Sequence, residues 1–259
     1  YCTIPAARGR SRNISIARVV DQAREIAAHG VREIVLTGIN TGDFGRTTGE
    51  RFIDLLRALD AVEGIARYRV SSIEPNLLTD GIIDFCAASR AFQPHFHIPL
   101  QSGADRVLGL MRRRYVTELF AGRVARVREA MPDAFIGVDV IVGFPGETDD
   151  DHAATRALLE RVAPAQLHVF PYSVRPGTPA ASMPGRVSPP VVAARAADLG
   201  ALSEALHAAF RARFAGTEAS VLWEGEQRDG TMAGFTANYL KVSAPHDPAL
   251  TGTITRVTI

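Results

Sequence analysis

Short apolar, β-branched runs alternate with amphipathic stretches through the first 170 residues, and this alternation is the strongest constraint on the fold. Residues 31–37 (VREIVLT), 67–71 (RYRVS), 95–100 (HFHIPL), 135–142 (FIGVDVIV) and 166–170 (QLHVF) have the composition of strands. A helical stretch at residues 15–29 precedes the first run, and others at residues 51–62, 80–89 and 149–162 lie between later runs. Strands and helices in this order predict a parallel sheet with helices packed outside it, either closed as a barrel or open.

The pattern changes after Pro184. Pro189 and Pro190 open an alanine-rich helix over residues 191–215, which Gly216 ends. The last 44 residues contain no helical pattern, and their strand-like runs at residues 220–223, 239–242 and 252–258 predict a small β-barrel or sandwich. The sequence therefore predicts two domains, residues 1–215 and residues 216–259.

Polar and glycine residues follow four of the predicted strands. They form the segments 37–40 (TGIN), 71–75 (SSIEP), 101–103 (QSG) and 143–147 (GFPGE). In parallel α/β barrels the chemistry lies at the carboxyl ends of the strands. We therefore expect the functional site at this edge of the sheet.

Charge and cysteine content exclude several classes of protein. The 29 basic and 28 acidic residues give a net charge of +1, so no global field favours nucleic acid, and Lys241 is the only lysine. Two cysteines, Cys2 and Cys86, allow one disulfide at most, which is typical of an intracellular chain.

The sequence contains no run of 18 or more apolar residues, so no membrane span is predicted. Because the N-terminus has neither methionine nor a signal-peptide pattern, we expect a fragment.

Five segments carry a family resemblance: 1–12 (YCTIPAARGRSR), 97–103 (HIPLQSG), 111–115 (MRRRY), 139–147 (DVIVGFPGE) and 170–178 (FPYSVRPGT). They occur in the order found in the radical S-adenosylmethionine (SAM) methylthiotransferases, and the chain resembles that family from residue 1 to about 185. The tail, with 234–242 (GFTANYLKV), resembles a TRAM domain, a small β module that binds tRNA. The resemblance implies an α/β fold, a partial parallel (β/α)6 barrel lacking its first strand, followed by a small all-β domain.

Within the family, three segments favour the branch that acts on N6-threonylcarbamoyladenosine at position 37 of tRNA. They are 36–45 (LTGINTGDFG), 92–97 (FQPHFH) and MRRRY. The alternatives are the branch acting on N6-isopentenyladenosine, the branch acting on a ribosomal protein, and a radical SAM enzyme with another substrate. An alternative of a different class is a non-catalytic, tRNA-binding remnant.

The resemblance also implies cofactors and partners. Cys2 would be the third thiolate of the [4Fe–4S] cluster that binds SAM, while Cys86 has the setting of a core residue. The first two ligands and a second cluster would lie upstream, so we expect these 259 residues to be inactive alone. The expected partners are the anticodon stem-loop of tRNA, SAM, and an electron donor such as flavodoxin or ferredoxin, in the cytoplasm.

By resemblance, the strand ends would form the SAM pocket, although several of these residues have plainer interpretations. The amino group of SAM would be contacted by Thr37, Gly38 and Asn40, whose alternative is a simple turn after the strand. The ribose hydroxyls of SAM would be bound by Ser72 and Glu74, and the alternative for Glu74 is an exposed loop acid. Val140, Ile141 and Val142 would pack against the adenine or hydrogen-bond it through their backbone, and they can also be plain core residues, while Gly143 would shape the turn beneath the ring. Arg114 would pair with the SAM carboxylate unless residues 112–114 are a solvated helix face. Gln101 would face the substrate, or it would stabilise the turn in which it lies. His97 alternates with apolar residues, so the sequence is equally consistent with a buried core histidine and with a site residue.

Two surfaces are expected to contact tRNA. Arg8, Arg10 and Arg12 lie beside the cluster loop and would contact phosphates. In the tail, which is not basic, binding would depend on the rings of Phe235 and Tyr239 and the charge of Lys241. The alternative for Phe235 is a place in a small hydrophobic core.

Overall fold

The structure is a computed structural model that describes residues 3–9 and 11–259. The helices are α1 (Ile4–Arg8), α2 (Ile16–Ala28), α3 (Phe52–Asp60), α4 (Asp80–Ala88), α5 (Asp105–Leu110), α6 (Thr117–Ala130), α7 (Asp149–Val162) and α8 (Pro189–Ala212). The strands are β1 (Glu33–Leu36), β2 (Arg67–Val70), β3 (Phe92–His97), β4 (Phe135–Val142), β5 (Gln166–Pro171), β6 (Glu218–Glu226), β7 (Thr231–Thr236), β8 (Lys241–Pro245) and β9 (Ile254–Thr258).

The first five strands form one parallel sheet in chain order, β1-β2-β3-β4-β5, which confirms the predicted α/β architecture. One strand lies earlier than predicted: β3 spans Phe92–His97 rather than residues 95–100. It accommodates Pro94 because the register against β2 shifts between Tyr68 and Val70, and proline is tolerated at such an irregularity.

The two faces of the parallel sheet differ in chemistry. One face packs against the helices and is apolar: Tyr68, Phe96, Val138 and Val140 are at most 1% exposed in the same core as Leu56 of α3. Each such side chain contributes about 1.5–3 kcal/mol of burial free energy. The opposite face carries polar side chains, among them those of Arg69, His95, His97, Asp139 and His168. This second face, hereafter the inner face, is where the candidate site lies.

The helix that precedes β5 begins with a capping box. The Thr148 hydroxyl accepts a hydrogen bond from the Asp151 N–H, and the Asp151 carboxylate accepts one from the Thr148 N–H. Such reciprocal bonds satisfy two backbone donors at the start of a helix. They fix where α7 starts, directly after the turn that follows β4.

The remaining strands form a separate four-stranded antiparallel sheet, β8-β7-β6-β9. The predicted strand at residues 239–242 is wrong at its start, because Tyr239 lies in the turn between β7 and β8 with φ of +63°. The structure shows one sheet, with Val221, Trp223 and Met232 in its small core, in place of the expected barrel or sandwich. The change from helix to sheet falls between Ala212 and Glu218, and the division into two domains stays a prediction.

Two buried arginines of β2 connect the sheets. Arg67 donates to the carbonyl oxygens of Ser220 and Phe235, both at 2.8 Å. Arg69 donates to the carbonyls of residues 236 and 237 at 2.8 and 2.7 Å, and forms a two-pronged ion pair with Glu33 at 2.8 and 3.1 Å. The guanidinium of Arg69 also lies 4.9 Å from the centre of the Tyr239 ring. These contacts hold the β7–β8 turn against strands β1 and β2 of the parallel sheet.

Among the helices of residues 3–9 and 11–259, none is both long enough and apolar enough to cross a bilayer.

Candidate functional site

Hydrogen bonds join the loops that follow β1 and β2. Asn40 accepts the backbone N–H of Glu74 through its side-chain oxygen at 3.2 Å. Thr41, which is buried, donates its N–H and its hydroxyl to the carbonyl of Ser72, at 2.9 and 3.0 Å. These bonds fix the positions of Ser72 and Glu74, so three of the residues expected to bind SAM lie side by side.

The carboxylate of Glu74 is paired with an arginine. Arg113 donates to the Glu74 Oε1 at 2.7 Å, and both side chains are about four-fifths buried, with 18% and 22% exposed. Arg114, the residue predicted to pair with the SAM carboxylate, is exposed. Residues 111–114 form a turn between α5 and α6, in which Arg112 has φ of +58°, so the alternative of a helix face is wrong. The arginine that lies next to the site is Arg113.

Gln101 occupies an unusual backbone position. Its φ is +70°, a left-handed conformation that costs a residue with a side chain about 1–2 kcal/mol. Two backbone bonds to β4 hold it there: its N–H donates to Asp139 O at 2.8 Å, and its carbonyl accepts from the Ile141 N–H at 2.9 Å. Gln101 is buried, with 7% of its surface exposed. The expected contact with substrate stays a prediction.

The end of β4 presents only part of its predicted adenine-binding surface. Val140 and Val142 belong to the core under the helices, so their side chains point away from the inner face, whereas Ile141 is partly exposed. Gly143 has φ of +76°, and a Cβ added there would lie 2.4 Å from Val192 Cγ2. Its N–H donates to the buried carboxylate of Glu147. The contact that Val140 and Val142 can offer a ligand is therefore through the backbone.

A chain of hydrogen bonds crosses the inner face. The Nδ1 atom of His97 lies 2.9 Å from the Ser72 Oγ, and its Nε2 lies 2.8 Å from Asp139 Oδ1. Because an ionised carboxylate only accepts, a neutral His97 carries its proton on Nε2, and its Nδ1 accepts a hydrogen bond from the Ser72 hydroxyl. The lone pairs of the Ser72 Oγ are then available to a ligand hydroxyl. His168 lies edge-on to His97, with ring centres 5.5 Å apart.

A cavity of about 730 Å³ lies beside β1, between α2, α3 and the N-terminal segment. Arg8 and Arg12 line it together with Thr37, Gly38 and Asn40. Its walls come from residues 4–59, so it does not include the ends of β2 to β5. The cavity thus joins predicted RNA-binding arginines to the predicted SAM contacts of β1, while Ser72 and Glu74 lie outside it.

The residues expected to contact RNA in the tail lie at the junction between the sheets. The Phe235 and Tyr239 rings stack with centres 4.9 Å apart, and the Tyr239 ring also lies 4.5 Å from the ring of His95. Tyr239 remains 37% exposed and Lys241 is exposed. Phe235 is partly buried and belongs to neither small cluster of the tail, so both its core alternative and the RNA contacts stay predictions.

Two of the predicted residues, Cys2 and Arg10, lie outside the described residues. Cys86 is 3% exposed on α4, and burial raises the pKa of its thiol to about 12. A thiol with so high a pKa is a poor metal ligand, because the thiolate is the form that binds metals. The structure therefore supports the prediction that Cys86 is a core residue.

Residues 1–159 match the model of the radical SAM superfamily. The chain belongs to that superfamily. The observed parallel sheet, with its polar segments at the carboxyl ends of the strands, lies largely within the matched region.

The similarity to individual proteins confirms the resemblance to the methylthiotransferases. The chain is 38% identical over its whole length to the threonylcarbamoyladenosine tRNA methylthiotransferase MtaB of Bacillus subtilis, and covers 59% of that protein. It is 43% identical, over 88% of its length, to the tRNA-2-methylthio-N(6)-dimethylallyladenosine synthase of Thermobifida fusca, and covers 47% of it. This radical SAM chain thus spans about half the length of the relatives it matches.

Two solved structures share the fold. One is the radical SAM methyltransferase TsrM from Kitasatospora setae, solved with cobalamin and a [4Fe–4S] cluster bound. It has a TM-score of 0.56 and 18% identity over 67% of this chain and 34% of TsrM. The other is the coproporphyrinogen III oxidase HemN of Escherichia coli, with a TM-score of 0.53 and 16% identity over 86% of this chain and 60% of HemN.

Sequence reasoning missed three residues that the structure brings to the site: Arg113, Asp139 and His168. A signal existed for Asp139, which is the single charged residue in an otherwise apolar strand. His168 similarly stands between Leu167 and Val169. The choice between Arg113 and Arg114 depends on the turn conformation, which the repeated arginines do not reveal.

Proposed function

We propose that this protein is a tRNA methylthiotransferase that converts N6-threonylcarbamoyladenosine at position 37 of tRNA to its 2-methylthio derivative. The observation that carries the proposal is the 38% identity to MtaB across the whole chain. The network of Asn40, Ser72, Glu74 and Arg113 at the strand ends supports it, because it provides polar groups where a radical SAM enzyme binds SAM.

SAM fits the residues at this edge. Glu74 and the lone pairs of Ser72 accept hydrogen bonds from ribose hydroxyls, and Arg113 holds the Glu74 carboxylate in place. Asp139 acts through His97, since it fixes the imidazole tautomer that leaves Ser72 an acceptor. Backbone groups of β4 and the turn at Gly143 form the surface for the adenine ring. With a [4Fe–4S] cluster, bound SAM supplies the 5′-deoxyadenosyl radical chemistry of the superfamily.

The cluster needs thiolates that the described residues do not offer. The 259 residues contain two cysteines, and burial removes Cys86 from consideration, so Cys2 is the one candidate ligand among them. A [4Fe–4S] cluster that binds SAM is held by three thiolates, so two must come from outside these 259 residues. Catalysis is accordingly proposed for the product of the complete gene, and the 259 residues alone are expected to be inactive.

For tRNA, we propose that Arg8 and Arg12 contact phosphates of the anticodon stem-loop. Both are exposed and line the cavity beside β1 that also contains the Asn40 loop. Arg10 is proposed from its sequence position alone. Lys241 and the exposed edge of Tyr239 would extend the contact surface along the tail, as in a TRAM domain. A reduced electron carrier such as flavodoxin or ferredoxin would supply the electron.

A second candidate substrate is N6-dimethylallyladenosine, the isopentenyl derivative. The observation in its favour is the 43% identity to the Thermobifida fusca synthase, which is higher than that to MtaB over a shorter part of the chain. The two nucleosides differ in polarity, since one carries an anionic threonylcarbamoyl group and the other an apolar group. Offering both to the same enzyme separates the candidates.

The test uses the product of the complete gene, reconstituted anaerobically with iron and sulfide and supplied with SAM and a reductant. It receives tRNA carrying either modified adenosine, and mass spectrometry measures 5′-deoxyadenosine and 2-methylthio nucleosides. We expect product from the threonylcarbamoyl tRNA. Glu74→Gln should weaken SAM binding, whereas Arg57→Gln, at an exposed ion pair with Asp54, should not.

Product from the dimethylallyl tRNA alone would establish the second candidate. SAM cleavage without either product would contradict both. Binding of tRNA without SAM cleavage would indicate a tRNA-binding protein without catalysis.

A further inference from the structure

Three neighbouring strands place metal-binding side chains at the same level of the inner face. Asp139 of β4 is the direct cross-strand partner of His168 of β5, and His97 of β3 pairs with Gly137, two residues before Asp139. The ligand atoms of the two imidazoles and the carboxylate lie within 4.8 Å of one another. Within residues 3–9 and 11–259, no other group of three such side chains is this close.

A glycine provides the space in which these groups meet. A Cβ added at Gly137 would lie 3.5 Å from the Cδ2 of His97 and 3.8 Å from the Nε2 of His168. Without that side chain, the two rings face a common volume, nearly perpendicular to each other. The side chains of His97 and Asp139 are 21% and 20% exposed, so an ion can reach them.

The donor set selects the kind of ion. Two imidazole nitrogens and one carboxylate oxygen suit Zn²⁺ or another divalent first-row transition metal. Mg²⁺ and Ca²⁺ prefer sets made of oxygen alone. The other ring nitrogen of His97 already has a partner in the Ser72 hydroxyl at 2.9 Å, and metal-binding histidines commonly have such a partner.

We propose that His97, Asp139 and His168 bind one divalent transition-metal ion, separate from the iron–sulfur cluster. In the metal-free chain the Nε2–H of His97 donates to Asp139 at 2.8 Å. The ion replaces this hydrogen bond: Nε2 becomes a ligand, the ring proton moves to Nδ1, and the Nδ1–H donates a hydrogen bond to the Ser72 Oγ, which keeps a second lone pair for a ligand hydroxyl. The imidazole stays neutral throughout. The bound ion ties β3, β4 and β5 together and keeps open coordination positions toward the inner face.

The probe is Zn²⁺ alone, added by equilibrium dialysis to the product of the complete gene after its iron–sulfur clusters have been reconstituted on their cysteine ligands. We expect one Zn²⁺ per chain beyond the cluster iron. X-ray absorption should show nitrogen and oxygen ligands at about 2.0–2.1 Å, with imidazole scattering and no sulfur. The measurement does not depend on the identity of the modified nucleoside.

Two variants test the ligands. Asp139→Asn keeps the shape and an acceptor for the His97 N–H, and His168→Gln keeps a polar side chain; each should weaken Zn²⁺ binding at least tenfold. The matched control is His152→Gln, because His152 also pairs with an aspartate, Asp198, but lies on α7 away from the inner face. Circular dichroism confirms that each variant is folded.

Three results would overturn the proposal: no saturable Zn²⁺ binding by the unaltered protein, equal affinity in all variants, or sulfur in the zinc coordination shell at about 2.3 Å. If one ligand variant fails to fold, the other variant and the X-ray absorption spectrum of the unaltered protein still test whether these three side chains bind the ion.

Discussion

Replacing Arg69 by methionine should destabilise the protein markedly, because the guanidinium is 1% exposed and serves both sheets. It forms the two-pronged pair with Glu33 and donates to two carbonyl oxygens of the β7–β8 turn. Removing one partner of a buried ion pair costs about 3–5 kcal/mol. Arg67 remains 3.9 Å from the Glu33 carboxylate, so we expect the lower end, about 3 kcal/mol.

An unfolding entropy of about 2.1 cal/mol/K per residue gives about 0.5 kcal/mol/K for this chain, so 3 kcal/mol corresponds to a fall in Tm of about 6 °C. Calorimetry and urea unfolding measure it. The control is Arg57→Met, whose 58%-exposed side chain pairs with Asp54 at the surface and should lower Tm by less than about 2 °C. Equal Tm values for the two variants would show that the arginine junction between the sheets does not stabilise the fold.

Three further predictions follow from single residues. The pKa of His95 is lowered to about 3, chiefly by burial and also by Arg69 and His97, so below pH 6.5 the unfolded state binds a proton that the folded state excludes. Urea unfolding should therefore show that the unaltered protein loses about 1 kcal/mol more than His95→Gln between pH 7 and 5.5; parallel losses would contradict this. Gly143→Ala should cost about 2–4 kcal/mol in chemical denaturation because of its positive φ and the contact with Val192. Gly200→Ala, on α8 with open space around it, should stabilise the protein by about 0.5–1 kcal/mol, and the reverse order would refute the reasoning. Cys86 should react with iodoacetamide only when the protein unfolds, as peptide mass spectrometry can follow, and rapid labelling in the native state would refute its burial.

The parallel sheet could be predicted because its strands are short apolar runs set between amphipathic stretches, although α5 and α6, which lie between β3 and β4, are absent from the predicted helices. The run at 135–142 is apolar at seven of its eight positions, Asp139 being the exception, and forms β4 with the predicted bounds. The position of β3 could not be predicted in the same way, because Pro94 normally argues against a strand. It is the register shift against β2, a property of two strands together, that accommodates Pro94.

The polar residues that follow the strands in the sequence predict at which edge of the sheet the site lies. They do not predict which side chains contact one another there. Ser72 and Glu74 directly follow a strand in the sequence, which places them at this edge of the sheet, and the family resemblance supplies their expected role. The pairing of Glu74 with Arg113 depends on the turn at Arg112 and joins residues 39 positions apart. Likewise, the role of Arg67 and Arg69 at the junction depends on carbonyl oxygens more than 150 residues away, for which no local pattern exists.

The proposed activity is tested most directly by nucleoside analysis of tRNA from a strain in which the gene has been deleted. Mass spectrometry of the digested tRNA compares the 2-methylthio derivatives with their parent nucleosides. We predict that the 2-methylthio derivative of N6-threonylcarbamoyladenosine disappears, that its parent accumulates, and that the complete gene restores it. An unchanged level of that derivative in the deletion strain would contradict the proposed function.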